Sequence, residues 1–125
     1  MTFLDDDLQV STRQLTGVTV IDLDGDVTTF ADAKLTAAYR GATAAGATYL
    51  VLNFRNSAYI NSAGIAILIR IVTEVSRNRQ KLAMCNLNDH FQKIFRMVGL
   101  SQYAAIYEDE TQAAAALLAG VAPAF

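Results

Sequence analysis

A chain of 125 residues has the size of one compact domain, and with 53% hydrophobic and 18% charged residues it can bury a core, which excludes disorder of the whole chain. A net charge of −2 leaves no surplus of cations to displace counterions from a phosphate backbone, so nucleic acid is not an expected partner. One cysteine, Cys85, and one histidine, His90, exclude a disulfide framework and a Cys/His zinc site, and no metal or cofactor is expected.

Two apolar-rich runs open the chain, Gln9 to Leu15 and Val18 to Leu23, separated by the turn-forming pair Thr16-Gly17, which predicts an antiparallel hairpin. From Asp32 to Ala45, Leu35, Ala38, Tyr39 and Ala42 recur at three- and four-residue spacing, and Gly46 follows where a helix ends. Tyr49 to Phe54 is nearly continuous apolar sequence, the pattern of a central strand. A polar, turn-rich stretch from Arg55 to Ser62 leads into the longest helical run, Ala63 to Arg79, which Asn61 or Ser62 can cap. Leu82 to Leu87 reads as a further core strand. Asn88 then precedes a helix with Phe91, Ile94, Phe95 and Val98 on one face, ended by Gly99. A weak strand, Ala104 to Tyr107, and an alanine-rich helix, Glu110 to Ala119, docked through Leu117 with Leu118 as a further candidate, complete the alternation. The order predicts a single α/β domain over residues 9–119 with a mixed, mostly parallel sheet, helices packed against it and right-handed crossovers, flanked by a short extension (1–8) and a tail (120–125).

In the long helix, Ile65, Leu68, Ile69, Val72 and Val75 are expected to fill the core. That leaves Ile67 and Ile71 as an apolar ridge rimmed by Arg70 and Glu74, a candidate docking patch. No charge-free apolar run approaches the roughly 18 residues needed to cross a bilayer; the best, Ala63 to Ile69, ends at Arg70. Residues 1–7 carry no basic, then apolar, leader. A cytoplasmic protein without membrane contact is expected.

The segment Ile60-Asn61-Ser62-Ala63-Gly64 holds the most chemistry, because it sets a hydroxyl where a central strand hands over to a helix N-terminus. Free amides and the helix dipole favour negative charge there, so Ser62 is well placed to carry a phosphate. It is poorly equipped as a nucleophile: the Gly-x-Ser-x-Gly elbow and an Asp/His partner set are both missing. Asp22-Leu-Asp24-Gly25 copies the opening of a haloacid dehalogenase-type phosphatase motif, but Asp26 follows in place of threonine and no later Asp pair completes a magnesium site. His90 reads as a surface residue of a first helical turn and Cys85 as a small core hydrophobe. No catalytic set assembles, so an enzyme is not expected.

At these residues the chain resembles the STAS-domain anti-sigma factor antagonists, whose hydrophobic-Asp-Ser-(Ser/Thr)-Gly signature carries a phosphorylated serine. Leu23-Asp24-Gly25-Asp26 is similar to that family's Gly-Glu/Asp step after the second strand, and Phe95 to Leu100 to its helix-ending segment. The resemblance spans about residues 9–119. It implies a small α/β domain whose unphosphorylated form binds a GHKL-type anti-sigma factor kinase, with release on phosphorylation of Ser62 and resetting by a PP2C-type phosphatase. Ile60, Asn61, Ala63 and Gly64 would form the phosphoacceptor loop. Gly25, Asp26, Thr28, Tyr59, Ile67, Arg70 and Ile71 would meet the partner. Two positions depart from the pattern: Asn61 stands for the usual Asp, and Thr28 for an acidic residue common there. An Asn carries no charge to orient the hydroxyl or assist proton removal, and that favours an alternative, a phosphorylation-independent STAS scaffold in a stress-signalling assembly.

Overall fold

The computed structural model describes residues 8–120; of the expected extension and tail, only Leu8 and Gly120 fall within that range. The elements are β1 (Gln9–Leu15), β2 (Val18–Asp24), α1 (Ala31–Ala44), β3 (Tyr49–Asn56), α2 (Ser62–Arg77), β4 (Lys81–Cys85), α3 (Asp89–Met97), a single 3-10 turn (Leu100–Gln102), β5 (Ala104–Tyr107) and α4 (Glu110–Leu118). Every predicted element forms, and the 3-10 turn is the one addition. It follows Gly99, whose φ of 83° turns the chain off the end of α3 in a conformation that glycine adopts without strain.

The five strands lie in sequence order, β1-β2-β3-β4-β5, with β1 and β2 antiparallel and every later pair parallel. Because each crossover moves the sheet in the same direction, crossovers of one hand put their helices on one face. Alternation along the strands then separates two cores. Ile21, Leu52 and Met84 stand in register and pack with Leu35 and Tyr39 of α1, Leu68 and Val72 of α2, and Phe91 and Phe95 of α3. One residue back, Val20, Val51 and Ala83 face the other way, against Ala113 and Leu117 of α4. Leu8, just before β1, is already buried in the larger core.

Helix α2 buries Gly64, Ile67, Leu68, Ile71, Val72 and Val75. This corrects the expected ridge: Ile67 (7% exposed) and Ile71 (1%) belong to the core and are unavailable to a partner, whereas Ile69 is 44% exposed and Ile65 half-buried. The reason is that α2 packs between the sheet beneath it and α1 beside it, and the line that meets both runs through 64, 67/68, 71/72 and 75. Arg70 is also committed within the chain. Its guanidinium pairs with Asp32 of α1 and donates to Thr36 Oγ1 at 2.8 Å and Glu74 Oε2 at 3.2 Å, tying α2 to α1.

On the α4 face, Arg13 clamps the opening hairpin to α4. Its Nε and Nη2 donate to Asp22 at 2.5 and 2.9 Å, while Nη2 and Nη1 donate to Glu110 at 2.6 and 3.3 Å. Asn53 extends the network, donating to Asp22 Oδ1 at 2.8 Å and accepting from Asn86 Nδ2 at 2.8 Å. The hydrogen bond from Arg13 holds the Asp22 carboxyl below its usual value of 3.8, and the same contact raises Arg13. A carboxylate depressed in the folded state contributes stability above its unfolded pKa, and that contribution is lost as pH falls through the folded value.

What places α2 most tightly is Gly64. A Cβ built there would stand 2.1 Å from the Val27 carbonyl oxygen, 2.8 Å from its carbon and 3.0 Å from Ile60 Cγ2, so only glycine lets the first turn of α2 lie against the loop after β2. We expect Gly64→Ala to lower unfolding stability by about 2 kcal/mol or more, measured by urea denaturation. Gly41, inside α1 with open space around it, should behave oppositely, with Gly41→Ala stabilising by about 0.5–1 kcal/mol. For the clamp, Asp22→Asn should flatten the acid side of the stability profile: the wild type is expected to lose more stability than the variant as pH falls below about 4, followed by denaturation midpoints across a pH series.

Candidate functional site

Two loops meet at the carboxyl ends of β2 and β3. The Gly25 N–H donates to Asn56 O at 3.0 Å, Val27 N–H to Tyr59 O at 3.0 Å, and Asn61 N–H to Val27 O at 3.1 Å, with Val27 and Ile60 forming an isolated parallel bridge. The Val27 carbonyl that accepts from Asn61 is the atom against which Gly64 lies. Buried Val27 and Ile60 pin the seam from below. The N-terminus of α2 is therefore held by both loops, and Ser62 is presented at its first helical position.

Asn61 is the helix cap. Its backbone is extended (φ −90°, ψ −178°), and its Oδ1 accepts the Gly64 N–H at 2.9 Å, while its carbonyl accepts Ile65 N–H at 3.0 Å. Capping needs only an acceptor oxygen, which Asn supplies as well as Asp. The amides of Ser62 and Ala63 have no hydrogen-bond partner among the described residues, as expected of a first helical turn. The Ser62 side chain is exposed, and its hydroxyl makes no hydrogen bond among the described residues. Ser57, in the same loop, is buried with an unpartnered hydroxyl, so Ser62 is the reachable one of the two.

The remaining expected residues sort by exposure. Asp26 and Tyr59 are exposed, Gly25 and Thr28 half-buried, and Ala63 half-buried behind Ser62. The Thr28 carbonyl accepts the Ala31 N–H at 2.9 Å, so its backbone starts α1. Gly25 has a φ of 123°, a conformation for glycine. Arg70, Ile67 and Ile71 do not join this cluster, for the reasons given above. Phe30, which precedes α1 at the end of the loop that carries Thr28, is exposed as well. Its signal in the sequence was an aromatic just outside the periodic stripe of α1, where it fills no core position.

Elsewhere the structure is chemically quiet. His90 is exposed and stacks edge-on against Phe91. Burial pushes the Cys85 thiol up to about 12, which leaves it protonated at neutral pH. No group of three or more His, Cys, Asp or Glu side chains able to hold a metal occurs among the described residues, and none of their helices is long and apolar enough to cross a membrane. Asp22, of the phosphatase-like run, is engaged by Arg13 and Asn53, while Asp24 is exposed at the strand end.

The fold is shared with known structures. An anti-sigma factor antagonist from Mycobacterium paratuberculosis superimposes with a TM-score of 0.79 at 16% identity, covering 92% of this chain and 97% of that one. SpoIIAA, an anti-sigma factor antagonist, in its unphosphorylated form gives 0.67 at 18% identity over 91% of this chain and 99% of that one. The Bacillus cell fate determinant SpoIIAA in its phosphorylated form gives 0.66 at 21% identity, covering 88% and 98%. A search among curated protein sequences finds no match. The model of the STAS domain matches residues 9–113, and with the strand order, the capped α2 and the serine loop on the same stretch, the chain belongs to the STAS domain family.

Proposed function

We propose that this protein is a non-enzymatic binding module of the anti-sigma factor antagonist type, switched at Ser62. The observation that carries the reading is the exposed Ser62 hydroxyl at the first position of α2, beside two unpaired amides and at the rim of loops bearing Asp26, Tyr59 and Phe30. The fold likeness to antagonists, one of them solved in a phosphorylated form, supports it. The partner in this reading is a GHKL-type serine kinase that binds the unmodified loop, transfers phosphate to Ser62 and is then released, with a PP2C-type phosphatase restoring the hydroxyl. The setting is the cytoplasm.

Release follows from electrostatics. A phosphoserine carries about −1.5 to −2 charge at neutral pH, and a partner packed over Ser62 would have to bury it. That penalty outweighs the contacts of two exposed aromatics unless the partner supplies a cation. Within this chain the phosphate could be stabilised by the Ser62 and Ala63 amides and the dipole of α2, and Asn61 presents no negative charge against it.

A second reading, a phosphorylation-independent STAS scaffold, is favoured by the same Asn61, which caps the helix without offering a carboxylate to the hydroxyl. The two diverge in kinase assays. With candidate GHKL kinases and ATP, mass spectrometry is expected to place phosphate on Ser62, and Ser62→Ala to abolish it while partner affinity measured by calorimetry stays near the unmodified value. Ser62→Asp should weaken binding about ten-fold or more; equal affinity for Asp and Ser would remove the switch. Asn61→Asp keeps the cap and restores the carboxylate, so it should raise the initial rate of phosphorylation. Phosphate on neither form would favour the scaffold.

A further inference from the structure

We propose that the groove between the C-terminal half of α2 and the end of α3 is a second docking surface, separate from the Ser62 loop, that receives an acidic amphipathic helix of a protein partner. The groove encloses about 370 Å³ and is lined by Ile69, Thr73 and Arg77 on one side and Val98, Leu100 and Tyr103 on the other. Three of its apolar lining residues are open to solvent: Ile69 is 44% exposed, Val98 48% and Tyr103 63%. Apolar side chains singly at a surface mean little, but several lining one concave strip mark an interaction site.

The geometry of the chain explains why none of the described residues covers this strip. Gly99 turns α3 into the 3-10 segment through a left-handed residue, which leaves Val98 and Tyr103 pointing away from the core that takes Phe95 and Leu100. On α2, Ile69 lies off the buried line that runs through Leu68 and Val72. Ile69 to Arg77 stands about 10–22 Å along the helix from Ser62 at 1.5 Å per residue, so the strip can be occupied while the serine loop is engaged.

Charge selects the occupant. Arg77 is the one charged side chain lining the groove, it forms no ion pair among the described residues, and no carboxylate lines the strip. Arg96 is exposed on the last turn of α3, its recorded contact being the neutral Gln92 at 3.5 Å. Four carboxylates, Asp22, Asp24, Asp109 and Glu110, gather instead at the carboxyl ends of the strands, and Glu74, on α2 itself, is engaged by Arg70 and Arg40. A complementary ligand therefore presents apolar residues at helical spacing with carboxylates beside them, the helix-in-groove mode. An anionic membrane offers the same charge, but the strip is concave and carries few cations, whereas membrane binding needs an apolar face that projects into the lipid with a basic margin.

The test is an amide-shift titration of the isotope-labelled full chain with a synthetic helical peptide bearing Leu at i, i+3, i+4 and i+7 and Glu elsewhere, against the same peptide with Lys in place of Glu. We expect saturable shifts confined to amides of residues 69–77 and 97–103, with the Glu peptide binding about ten-fold tighter or more than the Lys peptide. Val98→Asp, at an exposed position, should weaken the Glu peptide about ten-fold, and Arg77→Glu should erase or reverse the preference. Ser62→Asp should leave this binding unchanged, so failure here and failure of the Ser62 switch are distinguishable. Absence of saturable shifts at these amides, equal binding of the two peptides, co-sedimentation with anionic vesicles in place of peptide binding, or self-association of the free chain through Val98 would each overturn the proposal.

Discussion

The contact between Gly64 and the Val27 carbonyl is the constraint on which the functional end of this domain depends. A single missing Cβ lets the first turn of α2 press against the loop that follows β2. The same carbonyl accepts the Asn61 N–H, so one peptide group positions both the cap and the helix it caps. Ser62, between these two residues, inherits its place from them. Its exposure and its unpaired neighbouring amides are consequences of how tightly the residues on either side are held.

The two faces of the sheet are built by different means. The face that packs on α1, α2 and α3 is a continuous apolar core closed by Tyr39, Phe54 and Phe95, with Tyr39 hydrogen-bonded to Gln80 at 2.6 Å so that its buried hydroxyl is satisfied. Among the described residues the other face has only α4, whose buried contacts are Ala113 and Leu117. With so little area beneath that helix, directional contacts matter more. Arg13 reaches from the edge strand β1 to Glu110, and Asn53 and Asn86 continue the network across the strands. Part of this network is open to solvent, so its value lies in fixing where α4 starts more than in net stability.

Much of the site was legible in the residues. Asn61 and Ser62 before an apolar periodic run marked a helix start with two candidate caps, and the structure gives the cap to Asn61, which leaves Ser62 as the first helical residue. Ile67 and Ile71, expected at the surface, lie in the core: α2 carries Ile65, Ile67, Leu68, Ile69, Ile71, Val72 and Val75, an apolar set wide enough to admit two stripes. A finer signal was present: continuing from Ile69 leads to Thr73, Ser76 and Arg77, all polar, whereas continuing from Leu68 and Ile71 leads to Val72 and Val75. Periodicity reports that a helix has a buried face, and its width, when ambiguous, is resolved by the neighbours it meets.

By itself the sequence determined the element order, the hairpin at Thr16-Gly17, the mixed sheet and a polar cap at Asn61 or Ser62 before α2, because each rests on local preferences: periodicity, turn chemistry and capping act within a few residues. Tertiary structure decided what depends on distant chain segments meeting. The approach of Gly64 to Val27, the sharing of Arg13 between Asp22 and Glu110 and the commitment of Arg70 to Asp32 join different elements of the chain, and the exposure of Val98 and Tyr103 depends on what the packed elements leave uncovered. No local pattern carries such information, since which side chain a surface residue meets is fixed only when the crossovers set the helices side by side on the sheet.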